Sequence, residues 1–287
     1  MTELKWYPAP GKLNLMLHVL GRREDGYHLL QTVFRLIDRY DRVGIRVRSD
    51  SELYRRNPRA DLAEADDLTL RAARLLKDYA VTRIGPAARL LGADIALEKA
   101  LPIGGGLGGG SSDAATVLLV LNRLWDLNLP RGELMRLGLR LGADVPLFLF
   151  GENAMGEGIG ERLTALSLPP AWYLVLVPQV AVSTKEIFSD PALTRDTKQL
   201  KIPPFLSGQG RNDLEPVVTA RYADIAAHLA WLKQHAAGAR MTGSGACVFA
   251  EFAERDEAQA LQSQLPETMK GFVTRGLQRH PLFGWAN

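Results

Sequence analysis

The 287-residue chain holds a single cysteine, Cys247, set in an apolar stretch. One thiol excludes an internal disulfide and leaves no cysteine-based metal site, so Cys247 reads as a small core residue. No run reaches the roughly 18 apolar residues needed to cross a membrane. The first residues have neither the apolar core of a secretory signal nor an Arg- and Ser-rich transit segment, so no membrane role is expected and a cytoplasmic address is. Aromatic residues make up only 7% and never interleave with a basic stripe. The formal charge of +3 is scattered or set beside acids, as in Arg22-Arg23-Glu24-Asp25. That pattern disfavours a nucleic-acid partner but would welcome a small polyanion. There is no internal repeat, no low-complexity tract, and no lysine between Lys99 and Lys185.

What is abundant is glycine, in one place. Residues 102–115 read Pro-Ile-Gly-Gly-Gly-Leu-Gly-Gly-Gly-Ser-Ser-Asp-Ala-Ala, and six of the seven positions from Gly104 to Gly110 are glycine. Glycine loses more backbone entropy on ordering than any other residue, so such a run implies close main-chain approach to an anion. Residues 93–99 alternate as a strand and Pro102 stops it. Beyond the loop, Val117, Leu118, Leu121 and Leu124 follow a helical period, Asp113 sits near the start, and Ser111 or Ser112 is the expected cap. Strand, glycine loop and helix N-terminus together make a phosphate site.

Three glycine-loop chemistries compete. A P-loop requires a lysine directly after its last glycine, and none is present. A dinucleotide fingerprint is formally matched by Gly104, Gly106 and Gly109, but the second strand ending in an acid is missing: the helix runs to Trp125 and Asp126 follows at once. A flexible linker would not abut so apolar a helix. The third chemistry is that of the galactokinase, homoserine kinase, mevalonate kinase and phosphomevalonate kinase superfamily, whose phosphate motif the segment from Pro102 to Ala115 closely resembles. Ala9-Pro10-Gly11-Lys12-Leu13-Asn14-Leu15 resembles its first motif and Thr242-Gly243-Ser244-Gly245-Ala246 its third. Within the superfamily, Gly26-Tyr27-His28, Gln31-Thr32-Val33-Phe34, the segment from Gly142 to Phe148 and Asn212-Asp213-Leu214-Glu215 resemble the 4-diphosphocytidyl-2-C-methyl-D-erythritol kinase family. Gly11 departs from the usual alanine, and Asp67 stands where an asparagine often contacts adenine.

The resemblance implies an ATP- and Mg2+-dependent kinase acting on a cytidine-diphosphate-linked sugar alcohol, with the following roles. Asp144 becomes the general base; by residues alone an aspartate after Gly142-Ala143 would more often cap a turn. Lys12, on the same strand face as Asn14 and opposite Leu13, Leu15 and Leu17, becomes the catalytic cation. Pro102, Gly104, Gly105, Gly106, Leu107, Gly108, Gly109, Gly110, Ser111 and Ser112 cradle ATP, with Ser111 or Ser112 helping to hold Mg2+. Lys99 and Asp67 border the adenine. Tyr27 and Phe188 sandwich the cytosine while His28 reads its edge, and Asn14, Phe34, Thr184, Gly243, Ser244 and Gly245 complete the acceptor site.

The expected architecture is α+β: two domains with mixed sheets, residues 1–163 resembling the ribosomal-protein-S5 fold and residues 164–287 the ferredoxin fold. Periodicity predicts strands at 13–20, 43–48, 93–99, 172–177, 247–252 and 271–277, and helices near 69–79, 112–125, 133–141, 224–234 and 254–265. Residues 27–38 are ambiguous, and residues 190–210 read as a long loop near the substrate.

Overall fold

A computed structural model describes residues 3–58, 62–202, 205 and 208–286. Its organising element is a long antiparallel hairpin of β1 (Lys5–Arg22) and β2 (His28–Arg48), closed by a turn in which Arg23 N donates to Tyr27 O at 2.7 Å. Both strands are longer than the periodicity predicts. Pro8 and Pro10 of β1 share parity with Lys12, whose N–H points away from β2 to Leu107 O at 3.0 Å. At those positions no ladder donor is lost, so proline is tolerated. Of the ambiguous segment 27–38, residues 28–38 are strand, and residues 31–37 are buried on both faces, so that run lacks alternation.

One edge of β2 pairs with β1 from His28 to Ile45, with Asp38 and Arg39 bulged out of the register. The other edge is shared by β4 (Gly92–Glu98) and β5 (Ala154–Gly158), with β3 (Leu53–Arg55) parallel to β4 and β6 (Arg162–Ala165) antiparallel to β5. Against this sheet pack α1 (Leu68–Ile84), α2 (Gly109–Leu124), α3 (Arg131–Leu139) and α4 (Val145–Phe150). Leu36, Val43, Ile45 and Ile95 meet Leu70, Leu76, Val117, Leu118 and Phe148 in one core.

The C-terminal half runs β7 (Trp172–Leu176), α5 (Thr184–Ser189), α6 (Glu215–Arg221), α7 (Ala223–His235), β8 (Arg240–Met241), β9 (Val248–Phe252), α8 (Arg255–Gln262) and β10 (Gly271–Arg275). Its antiparallel sheet has the order β10-β7-β9-β8, the ferredoxin-like order. Strand period two divides the faces. Leu174, Leu176 and Val248 pack on Ile225, Leu229 and Leu261, whereas Tyr173, Val175 and Phe249 turn to Leu13, Met16, Val33 and Ile37 of the N-terminal hairpin. A shared core therefore joins the two sheets, and a cleft opens beside it. Residues 190–201 are irregular and lie along the end of the hairpin, with Thr197 N on Val19 O at 3.1 Å. Of the expected loop, residues 203, 204, 206 and 207 lie outside the described residues.

Candidate active site

A bulge in β1 builds the floor of the site. Asn14 opposes Phe34 and Met16 opposes Val33, leaving Leu15 as the extra residue. The phase shift sends Met16 to the core beside Leu13 and turns Leu17 toward the cleft, so the expected row of Leu13, Leu15 and Leu17 on one face is broken at its end. Lys12 and Asn14 do share the cleft face. Lys12 Nζ donates to Asn14 Oδ1 at 2.5 Å, Asn14 Nδ2 to Thr32 Oγ1 at 2.8 Å, and Thr32 Oγ1 to Met16 O at 2.6 Å.

Asp144 completes this row, with Oδ2 3.4 Å from Lys12 Nζ. It precedes α4 but makes no capping hydrogen bond, and its carboxylate stays 35% exposed in the cleft. The turn-capping alternative is therefore not realised. Lys12 is only 3% exposed, so its charge acts on Asp144 with little solvent screening. The Phe34 ring lies 5.8 Å from Lys12 Nζ but is itself packed on Leu147 and Ala154, which makes it wall rather than open surface.

The glycine loop forms a partition between two cavities, one of about 790 Å³ holding Lys12, Asn14 and Asp144, the other of about 360 Å³ lined by Asp67, Lys99, Pro102, Gly105, Gly109 and Gly110. Gly104, Gly106, Gly108 and Ser111 line both. Gly104, Gly106 and Gly108 have φ near +70° to +75°, and a Cβ on Gly106 would lie 2.5 Å from Thr242 O. Leu107 contributes only main chain, since its side chain is core. The expected serine cap is corrected: α2 begins at Gly109, with Gly108 in the cap position and no side-chain cap. Ser111 and Ser112 fall inside the first turn, and Ser112 Oγ is buried without a partner. With no capping hydroxyl on them, the first-turn N–H donors of α2 stay open to an anion.

Lys99 is held between two buried carboxylates. Its Nζ donates to Asp113 Oδ2 at 2.8 Å and to Asp41, whose other oxygen accepts from Ala100 N and Leu101 N at 2.6 and 2.8 Å. Burial pushes the Asp113 carboxyl up to about 7, with Asp41 assisting and Lys99 opposing. Asp67 caps α1, accepting from Thr69 N at 2.8 Å, with Arg55 3.7 Å away. Both residues wall the smaller cavity, yet their charged groups are already engaged.

At the far end of the larger cavity stand Tyr27, His28 and Phe188. His28 packs on Phe188 with ring centroids 5.0 Å apart and the planes tilted by 32°, while Tyr27 stands 60% exposed at the rim. Arg195 Nε donates to His28 Nε2 at 3.1 Å. Burial, then the Arg195 and Arg22 charges, hold the His28 imidazole below its usual range. Thr184 and Ser244 share a hydroxyl hydrogen bond of 2.7 Å, tying α5 to the turn of Gly243, Ser244 and Gly245. Asn212 Nδ2 pins that turn through Met241 O and Gly243 O at 2.9 and 2.8 Å.

Asp41, Arg195 and Asn212 escaped site assignment from sequence. Asn212 lay in a quoted motif that could have flagged it; Asp41 and Arg195 act 58 and 167 residues away from their partners, and no local pattern signals them. Cys247 lies just before β9, where burial pushes its thiol up to about 12. No group of three or more His, Cys, Asp or Glu able to hold a metal occurs among the described residues, and none of their helices is long and apolar enough to cross a membrane.

Residues 67–152 match the GHMP kinases N terminal domain and residues 192–271 the GHMP kinases C terminal domain. A 4-diphosphocytidyl-2-C-methyl-D-erythritol kinase of Thiobacillus denitrificans is 58% identical over 96% of this chain and 97% of the relative. One from Nitrosospira multiformis is 56% identical over 97% and 93%. Among solved structures, a 4-(cytidine 5'-diphospho)-2C-methyl-D-erythritol kinase superposes with a TM-score of 0.81 at 33% identity, covering 95% of this chain and all of that one. A mevalonate kinase at 14% identity, with a TM-score of 0.69 over 96% of this chain and all of its own, shares the fold.

Proposed function

This chain belongs to the 4-diphosphocytidyl-2-C-methyl-D-erythritol kinase family, and on that premise we propose that it transfers the γ-phosphoryl group of ATP to the 2-hydroxyl of 4-diphosphocytidyl-2-C-methyl-D-erythritol, a step toward isoprenoid precursors. The observation that carries the reading is the row Asp144, Lys12 and Asn14 standing beside an uncapped helix start where two cavities meet. One cavity suits a nucleotide and the other an acceptor alcohol.

Asp144 takes the proton of the attacking hydroxyl as its oxygen bonds to the γ-phosphorus and the bridge to ADP breaks. Lys12 stands beside that carboxylate and steadies charge on the transferring group, and Asn14 fixes the ammonium. The N–H groups after Gly108 donate to phosphate oxygens, and a Cβ on Gly106 or Gly108 would strike Thr242 O or the Phe148 ring and displace the loop that presents them. Asp67, Lys99 and Pro102 border the adenine. Mg2+, when bound, would neutralise phosphate charge; Asp41 and Asp113 are engaged by Lys99 and Asp67 caps α1, which fits an ion held mainly by phosphate oxygens, with Ser111 the protein hydroxyl lining both cavities. Tyr27, His28 and Phe188 receive the cytosine, and Phe34, Thr184, Gly243, Ser244 and Gly245 wall the rest of the acceptor. A cytoplasmic address accords with substrates of this kind.

An ADP-release assay over a panel of alcohols tests the proposal. Turnover of the cytidine-linked alcohol with none of homoserine or mevalonate is expected; the reverse order would overturn it.

A further inference from the structure

We propose that Arg195 is a positioning residue that sets the tautomer of His28 and, through it, the pyrimidine preference of the cleft. The pyrimidine half of this proposal rests on the cytidine reading given above; the tautomer half does not.

A guanidinium has only donors, so the 3.1 Å contact from Arg195 Nε makes His28 Nε2 an acceptor. The imidazole is then neutral with its proton on Nδ1, since the partner of one ring nitrogen decides where the proton sits. Protonation of Nε2 would set two donors against each other. Arg22, Arg195 and burial all disfavour an imidazolium, and the stacked Phe188 ring offers no acceptor.

Arg195 is itself held firmly. Its Nη2 donates to Phe188 O at 3.0 Å and Asp190 O at 2.7 Å, and its Nη1 to Leu193 O at 3.0 Å. The same guanidinium thus ties the main chain of Phe188 to the ring of His28, joining both members of the stack. These contacts use three nitrogens of a rigid fork, which a lysine could not reproduce.

The consequence is chemical. His28 Nδ1 has no hydrogen-bond partner among the described residues, and His28 lines the larger cavity. The imidazole therefore keeps a single donor for a ligand. Cytosine offers an acceptor at N3 and uracil a donor, so a locked Nδ1–H matches the first and opposes the second. A buried donor left facing a donor is strongly rejected.

Two measurements test this. A ¹⁵N-histidine spectrum of the whole, unliganded protein, with His28 assigned from the signal lost in His28→Gln, should show the Nδ1–H tautomer. The Nε2–H pattern or an imidazolium at neutral pH would overturn the proposal, whatever the substrate. In the second measurement, Arg195→Gln and Arg195→Lys should raise the KM for the cytidine substrate roughly tenfold, leave the KM for ATP nearly unmoved, and shrink the CDP-over-UDP inhibition ratio by a similar factor. Arg195→Lys keeps the positive charge, so it answers if Arg195→Gln is too poorly folded to assay. Variants that bind CDP and UDP in the parent ratio would overturn the positioning role. Equal inhibition of the parent by CDP and UDP would overturn the cytidine reading while the tautomer spectrum stands separately.

Discussion

Replacing Gly106 with alanine should loosen nucleotide binding and lower stability more than the same change at Gly104, two residues away. Both glycines have positive φ, +71° at Gly104 and +75° at Gly106, so each alanine bears a left-handed backbone cost of about 1–2 kcal/mol. At Gly104 nothing further is added, because the nearest atom to the new Cβ is Ala181 Cβ at 4.0 Å. At Gly106 the new Cβ meets Thr242 O at 2.5 Å and Gly245 O at 2.9 Å, both main chain, so the loop and the hairpin must part. The bonds holding them are Ala246 N to Gly104 O at 3.3 Å and Cys247 N to Gly105 O at 3.2 Å. At about 0.5–1.5 kcal/mol each, their loss brings the total to about 2–5 kcal/mol. For a chain of this size that corresponds to a melting temperature lower by roughly 3–8 °C. Calorimetric titration with a non-hydrolysable ATP analogue should show affinity falling at least about tenfold at Gly106→Ala, as the displaced loop misplaces its N–H donors. Gly132→Ala, with nothing within 4 Å, serves as the neutral control. If Gly106→Ala and Gly104→Ala match in both melting and titration, the hairpin contact does not shape the loop and the argument fails.

Asp144→Asn should keep the fold and nucleotide affinity but lose about 100-fold to 10,000-fold in turnover, and a rate within threefold of the parent would refute the general-base role. Lys12→Arg should rescue Lys12→Ala only poorly, because the ammonium is enclosed by Asn14, Phe34 and Asp144; full rescue in the same turnover assay would reduce Lys12 to diffuse charge. Tyr27→Ala and Phe188→Ala should each raise the KM for the cytidine substrate roughly tenfold with the KM for ATP nearly constant, and equal changes in both constants would place the rings elsewhere. Complete burial, with Arg131 nearby, pushes His280 down to about 3 from its usual 6.5. The unfolded chain therefore binds a proton that the native chain refuses below pH 6.5, so this contribution is whole above 6.5 and is lost as pH falls toward 3. His280→Gln should show a smaller drop in denaturant midpoint between pH 7 and pH 4 than the parent; an identical drop would mean that other groups carry the acid sensitivity.

Some of this protein was legible in its sequence because the responsible physics is local. Glycine density at 104–110, a strand before it and an apolar helix after it announce a phosphate loop without reference to any other part of the chain, and the alternation at 12–14 places Lys12 and Asn14 on one face. Strand and helix periods also recovered most elements of the C-terminal half. Where the periodicity failed, tertiary coverage was the cause: residues 31–37 are buried on both faces, so that part of the strand carries no alternation to read. Pro8 and Pro10 sit inside β1 because their missing N–H groups face away from the ladder, which only the finished sheet shows.

The pairings that make the site were decided by the tertiary structure alone. Asp144 reaches Lys12 across 132 residues, Lys99 is gripped by Asp41 and Asp113, and Arg195 meets His28 only because residues 190–201 fold back along the hairpin. An uncapped helix start is likewise invisible in a sequence that offers two serines beside it. Composition and period report the local preference of each segment, whereas the donor, acceptor or charge that finally faces a side chain depends on elements brought together by burying a common core, and that choice is made only when the chain closes on itself.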